Sequence, residues 1–243
     1  MSIGGIEKMF ERVLAIGDIH GKYDKLTNLW DKIKYDNSKD FLIFLGDYID
    51  RGEKPVECIE FVMDKVKNNK NVHALMGNHE FMMQEFFHTC GVEPALKDKD
   101  MGFMDIWLDP QNGGHDTLDV LRELYPSDPD RVKKIVNFVD NLDVYNEDID
   151  SFFFVHGGID PKKDIHQQTV EDLVWIRWDC FDFYDNDKLT LVVGHTPVQS
   201  FDVKKNTPME MENNIILLDT GSFLKNGKIT CMNVLTKDIW QSL

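Results

Sequence analysis

The sequence predicts an α/β fold in which short buried strands alternate with amphipathic helices and present polar loops at their carboxyl ends. Three observations carry this. Largely apolar runs at 12–16, 41–45 and 72–76 are each closed by a glycine followed by acidic or polar residues. The segments after the first two runs place apolar residues at helical spacing. The strand–loop–helix pattern recurs three times before residue 90, which predicts parallel strands joined by right-handed crossovers.

Each element follows from its own residues. Residues 12–16 (RVLAI) form the first strand and end in GDIHG, and 22–33 place Leu26, Leu29, Trp30 and Ile33 on one helical face. The strand at 41–45 (FLIFL) empties into GDYIDRG, and 56–66 repeats the helical period through Ile59, Val62, Met63 and Val66. Residues 72–76 deliver GNHE, where a further helix begins. The stretch 97–114 (KDKDMGFMDIWLDPQNGG) mixes charge, glycine, proline and aromatics, and reads as an inserted loop or small cap suited to substrate selection. Helices at 117–124 and 131–142 are separated by Pro126 and Pro129, so a helical and loop insert spans about 89–142.

Beyond residue 143 the pattern turns β-rich. Residues 152–155 end at His156-Gly157-Gly158, a short helix at 170–175 precedes Arg177, and 189–193 end in GHTP. Residues 214–218, 228–234 and 238–241 read as antiparallel strands, the first two joined as a hairpin through FLKNGK and its Asn-Gly turn. That reading makes Asp219-Thr220-Gly221 a turn. With no solenoid repeat, low-complexity tract or linker, one domain over 1–243 is expected.

Composition narrows the function. A net charge of −16 disfavours nucleic acid and anionic membranes as partners, although bound cations can still hold a small anion. The four cysteines form no CxxC pair and read as free thiols of a cytoplasmic protein. There is no apolar run of membrane-spanning length and no secretory pattern at the N-terminus. A monomer is the simplest expectation.

Five loops present Asp18 and His20, Asp47 and Asp50, Asn78 and His79, His156, and His195. Oxygen and imidazole donors without cysteine suit Mn2+, Fe or Zn2+. Asp18 and His20, two apart on a turn, can face one ion; Asn78, His156 and His195 can face a second, with Asp47 bridging. Two such ions about 3.5–4 Å apart support in-line displacement at phosphorus. His79 can protonate the leaving oxygen if Asp50 holds its other nitrogen, and Arg51 and Arg177 can grip phosphate oxygens. His73, His88, His115 and His166 lack such placement and read as structural, as does the aromatic pair Trp175 and Trp178.

In this order and at these separations, GDIHG, GDYIDRG, GNHE, HGG and GHT resemble the signature of the calcineurin-like metallophosphoesterases. GDYIDRG with GNHE is similar, more narrowly, to the PPP family of serine/threonine protein phosphatases, especially its small bacterial and phage members. ECIEFV and NGGHDTL also resemble that branch. The resemblance covers about residues 11–200. It implies a metallophosphoesterase fold: a central β-sandwich flanked by α-helices, with a dinuclear metal site at the carboxyl ends of the strands.

By motif position the resemblance implies Asp18 and His20 as ligands of one metal, Asp47 as the bridge, and Asn78, His156 and His195 as ligands of the other. Asp50 and His79 match the acid pair, Asn78 and Arg51 touch substrate, and Arg177, on the looser motif WIRW, matches a second phosphate-binding arginine. The implied activity is hydrolysis of a phosphomonoester on a phosphoprotein or phosphopeptide by a metal-bridging hydroxide, with two divalent ions, Mn2+ first and Fe or Zn2+ as alternatives. A related bacterial family cleaves diadenosine tetraphosphate symmetrically, which keeps dinucleoside polyphosphates as an alternative substrate. An inactive metal-binding scaffold is disfavoured because every ligand and His79 are present. The intervals between motifs are shorter than in eukaryotic catalytic subunits, so their docking grooves do not carry over.

Overall fold

The computed structural model describes residues 10–98 and 105–243. Among the described residues, ten strands lie in two five-stranded sheets. In chain order they are β1 (Arg12–Ile16), β2 (Asp40–Phe44), β3 (Val72–Ala74), β4 (Tyr145–Asn146), β5 (Phe152–Val155), β6 (Thr190–Val193), β7 (Met209–Met211), β8 (Ile215–Leu217), β9 (Thr230–Asn233) and β10 (Ile239–Gln241). One sheet runs β10-β9-β1-β2-β3 and the other β4-β5-β6-β8-β7. Within the first, β1, β2 and β3 are parallel; within the second, β5, β6 and β8 are parallel. Each parallel trio therefore sends its carboxyl-terminal loops to one edge of its sheet.

Strand period explains the layering. Val13 and Ala15 of β1, with Phe41 and Ile43 of β2, face inward and meet Phe154, Val192 and Ile216 from the other sheet. The alternate residues Leu14, Ile16, Leu42 and Phe44 pack against helices on the outer face. Both faces of the parallel strands are covered, which is why they read as continuous apolar runs. The covering helices on that side are α1 (Tyr23–Ile33), α2 (Pro55–Asn68), α3 (Asn78–Cys90), α4 (Val92–Lys97), α5 (Gly114–Leu124) and α6 (Pro129–Asp140). The second sheet buries Phe153, Val155, Leu191 and Leu217 against α7 (Val170–Trp175) and α8 (Trp178–Phe183).

One expectation is overturned. Residues 214–218 and 228–234 do not form a hairpin: β8 pairs parallel with β6, whereas β9 pairs antiparallel with β1 in the other sheet. The reason is that Ile216 and Met232 both fill the space between the sheets from opposite sides, which a hairpin in one sheet cannot do. As a consequence Asp219 leaves β8 at the same edge as His195 leaves β6. Of the stretch 97–114, read as an inserted loop or small cap, the described part enters the core. Residues 99–104 lie outside the described residues, but Ile106–Leu108 form a 3₁₀ turn that drives Trp107 to complete burial against Phe86 and Phe87.

Among the described residues no helix is long and apolar enough to cross a membrane. Cys58, Cys180 and Cys231 are buried free thiols and Cys90 is half-buried. Of the four histidines read as structural, His73 stacks on Phe41, His88 pairs with Asp140, His166 lies near Glu147, and His115 is exposed.

Candidate active site

The carboxylate of Asp47 sits where the two sheets' loops converge, and three imidazoles surround it. His156 Nε2 lies 3.3 Å from Oδ1, while His20 Nε2 and His79 Nε2 lie 3.5 and 3.9 Å from Oδ2. Burial alone would raise the Asp47 carboxyl, but His156, His79 and His20 outweigh it and hold the group well below the usual carboxylate range. The loop that places Asp47 is wound tightly: Gly46 has φ of 106°, and a Cβ there would stand 2.8 Å from His156 Nδ1 and 2.6 Å from the Gly77 nitrogen.

Backbone strain is concentrated here. His20, Asp47, Asp50, Arg51 and His195 all have φ between 48° and 66°, a left-handed conformation uncommon for side-chain-bearing residues. Five such residues from three separate loops meeting at one place mark the region as organised for something other than stability.

The imidazoles are oriented by carbonyls that can only accept. His20 Nδ1 donates to the Ile49 carbonyl at 3.2 Å, and His156 Nδ1 donates to the Leu45 carbonyl at 2.8 Å. In both, Nε2 is left with its lone pair toward Asp47, the arrangement of metal-ligating histidines. Asn78 Oδ1 is 3.1 Å from His156 Nε2. Asp18 lies 4.0 Å from His20 Nε2, and both of its oxygens accept from the His195 amide at 3.1 Å. Donor atoms of His20, Asp47 and His79 lie within 4.8 Å of one another, as do those of Asp47, His156 and His195.

The donor set fits divalent cations on two further grounds. His195 Nε2 is buried with no hydrogen-bond partner among the described residues, while Arg177 Nη2 lies 3.4 Å from its Nδ1, so the ring is left incompletely satisfied within the ligand cluster. Burial is also the main force raising the Asp18 carboxyl well above its ordinary value, with the charges of Asp219 and Asp47 adding to it, a repulsion that a bound cation relieves. Burial keeps His20 and His195 well below the ordinary imidazole value, the direction that favours the neutral ring a metal takes as ligand.

Asp50 and His79 form the expected pair, with His79 Nδ1 2.7 Å from Asp50 Oδ2. Burial opposes protonation of His79, but Asp47 and Asp50 outweigh it and raise its pKa. Asp50 is itself fixed by two residues that the sequence reading passed over. Trp107 Nε1 donates to Oδ2 at 2.9 Å and Thr117 Oγ1 donates to Oδ1 at 2.5 Å, while the Asp50 amide donates to Thr117 Oγ1 at 3.1 Å. Both come from the insert, which thereby reaches the site through its buried end. The clue available in the sequence was the motif NGGHDTL, since Thr117 follows the glycine pair that brings α5 against Arg51 and Trp107.

Glu80 was also missed, although it ends GNHE. Its carboxylate is fully buried and accepts from the backbone nitrogens of Asp47 and Tyr48 at 2.8 Å, Gly77 at 3.1 Å and Ile49 at 3.3 Å. It thus clamps the start of α3 to the strained loop, and burial followed by the Asp47 charge pushes its carboxyl up to about 7. Asp219, read from sequence as part of a turn, is buried beside the site. Burial is the first cause of its rise to about 6, and its Oδ2 has no hydrogen-bond partner among the described residues.

The arginines differ in their anchoring. Arg51 Nη1 lies 3.2 Å from His20 Nε2, and its guanidinium stands 4.4 Å from the centroid of Phe223. Arg177 Nη1 donates to the His195 carbonyl at 2.8 Å and to Thr196 Oγ1 at 2.9 Å, so it is tied to the β6 loop. Trp175 packs edge-on to His195 at 5.9 Å, in agreement with a packing role; Trp178 is half exposed against Phe181 and Phe201.

Residues 11–230 match the calcineurin-like phosphoesterase family, and the chain belongs to that family. Among curated relatives it is 35% identical over 106 residues to the symmetrical bis(5'-nucleosyl)-tetraphosphatase of Neisseria gonorrhoeae, a match covering 40% of this chain and 37% of that protein. It is 43% identical over 70 residues to the serine/threonine-protein phosphatase PP1-delta of Caenorhabditis elegans, covering 28% of this chain and 22% of the relative. Both matches thus span well under half of the relatives' length. Among solved structures, the cold-active protein-tyrosine phosphatase of a psychrophilic Shewanella species superposes with a TM-score of 0.60 at 18% identity, over 92% of this chain and 76% of that one. A metallophosphoesterase from Sphaerobacter thermophilus gives 0.55 at 15% identity, over 95% and 87%. At these identities the structural likeness speaks for the fold.

Proposed function

We propose that the chain is a metal-dependent phosphoesterase that hydrolyses phosphomonoesters, with phosphoserine or phosphothreonine on protein as the first substrate class. The observation that carries this reading is the His79–Asp50 pair held at 2.7 Å beside Asp47 and its imidazoles. Asp18, His20 and Asp47 would hold one divalent ion, and Asp47, Asn78, His156 and His195 the second, with Mn2+ the first candidate and Fe or Zn2+ the alternatives. Such ions supply Lewis acidity at phosphoryl oxygens and lower the pKa of an attacking water.

The protein's own groups do the rest. Arg51, Arg177 and Asn78 orient the phosphate by donating to its non-bridging oxygens. His79 carries a proton on Nε2 and delivers it to the departing oxygen, while Asp50 keeps the ring in that orientation. An alkoxide is a poor leaving group and gains most from this proton, which favours a serine or threonine phosphate. A second reading, symmetrical cleavage of dinucleoside tetraphosphates, is supported by the tetraphosphatase relative.

Turnover by Mn2+-loaded protein, read as inorganic phosphate from a phosphothreonine peptide and in parallel as ADP from diadenosine tetraphosphate, separates the two. Chelator-sensitive turnover dominated by the peptide is expected. Cleavage of the dinucleotide alone, giving ADP, would put the second reading first, and silence on both would remove the hydrolytic account.

A further inference from the structure

Beside Arg51 lies a cleft of about 360 Å³ that the reaction described above does not use. Its size is that of a small-ligand site, for which about 300–1,000 Å³ is usual. Lys22, Lys25, Lys54 and Lys225 line it, with Phe223 as the wall on the catalytic side. In a chain of net charge −16, four ammonium groups against two carboxylates leave this cleft with an excess of positive charge. Two carboxylates also line it, and each is committed: Glu53 pairs with Lys22 at 2.9 Å and Asp24 with Lys54 at 2.7 Å. Lys225 is exposed and has no ion pair among the described residues.

The cleft is built into the fold. Lys25 Nζ donates to the carbonyls of Ser222 and Gly227, both at 2.8 Å, which fixes the loop carrying Phe223 and Lys225. Gly52 crosses Gly21 so closely that a Cβ on it would meet the His20 carbonyl oxygen at 2.1 Å, and this crossing sets Lys22 beside Glu53 and Lys54. Burial lowers the Lys25 pKa, and the neighbouring Lys22 and Lys228 lower it further, a crowding that an anion relieves. Phe223 joins the cleft to the catalytic centre: its ring lies under the Arg51 guanidinium at 4.4 Å and edge-on to His20 at 5.0 Å.

We propose that this cleft is an anion subsite that holds a second phosphate of the substrate while Arg51 holds the scissile one. The ligand chemistry is a phosphate group carried close to the reacting phosphate, either further along a dinucleoside polyphosphate chain or on a neighbouring residue of a doubly phosphorylated peptide. The proposal rests on the hydrolytic reading above and deepens it.

The test compares the metal-loaded wild type with the double variant Lys54→Gln/Lys225→Gln, both sites being surface side chains. Three kcat/KM values are measured for each: p-nitrophenyl phosphate, which has no second phosphate, diadenosine tetraphosphate, and a doubly phosphorylated peptide. The expected result is that the variant loses about tenfold in the selectivity for one second-phosphate substrate over p-nitrophenyl phosphate, an effect that shrinks in added salt. Which of the two selectivities falls identifies the source of the second phosphate. Unchanged ratios for both, with p-nitrophenyl phosphate still turned over, would overturn the subsite and leave the hydrolytic reading standing. A wild type inert toward all three would remove both.

Discussion

Replacing His79 by Asn is expected to lower kcat on a phosphothreonine peptide by about 10²–10⁴-fold, the usual contribution of a positioned general acid. Asparagine cannot carry a proton to the leaving oxygen. It does retain a short polar side chain at the start of α3, where His79 donates its backbone N–H to Asp47 Oδ1 at 3.1 Å, so the fold should stay intact. The loss should be much smaller on p-nitrophenyl phosphate, whose leaving group departs without a proton. That contrast separates acid catalysis from metal binding, because His79 Nε2 also lies 3.9 Å from Asp47 Oδ2. Equal losses on both substrates would make His79 a ligand or a packing residue instead.

Replacing Glu80 by Ala is expected to cost about 3 kcal/mol or more of stability, read by urea unfolding. The carboxylate is the acceptor for four backbone N–H groups from the loop after β2 and the start of α3. Deleting it leaves those donors buried and unpaired, at about 1–3 kcal/mol for each left unsatisfied before relaxation. Glu80→Gln should be nearly as damaging, since its amide sets a donor against donors. Activity should fall with stability, because the same loop carries Asp47, Asp50 and Arg51. A change within about 0.5 kcal/mol, the range of ordinary surface substitutions, would contradict the clamp.

Much of this was legible in the sequence because the parallel strands are buried on both faces. Unbroken apolar runs ending in glycine mark where loops emerge, and Asp18, Asp47, Asn78, His156 and His195 all sit on such loops. What stayed hidden depends on contacts between distant segments. Trp107 looks like one aromatic in a charged stretch, and only packing against Phe86 and Phe87 brings its indole to Asp50. Glu80 reads as an ordinary first-turn acid until the loop from β2 folds over it. Asp219 followed an apolar run as the others did, but the Asn-Gly signal ahead suggested a hairpin, and strand pairing across two sheets is not encoded in local turn chemistry. The left-handed backbone at His20, Asp47, Asp50, Arg51 and His195 has no signature in residue type, since none of these is glycine.

The central claim is that Asp47 joins two metal ions at the meeting point of the two sheets. Anomalous X-ray scattering from crystals grown with Mn2+ tests it directly. Two peaks about 3.5–4 Å apart with the Asp47 carboxylate between them are expected. His20 and Asp18 should lie beside one peak, and Asn78, His156 and His195 beside the other. Peaks elsewhere, or a single ion held without Asp47, would contradict it.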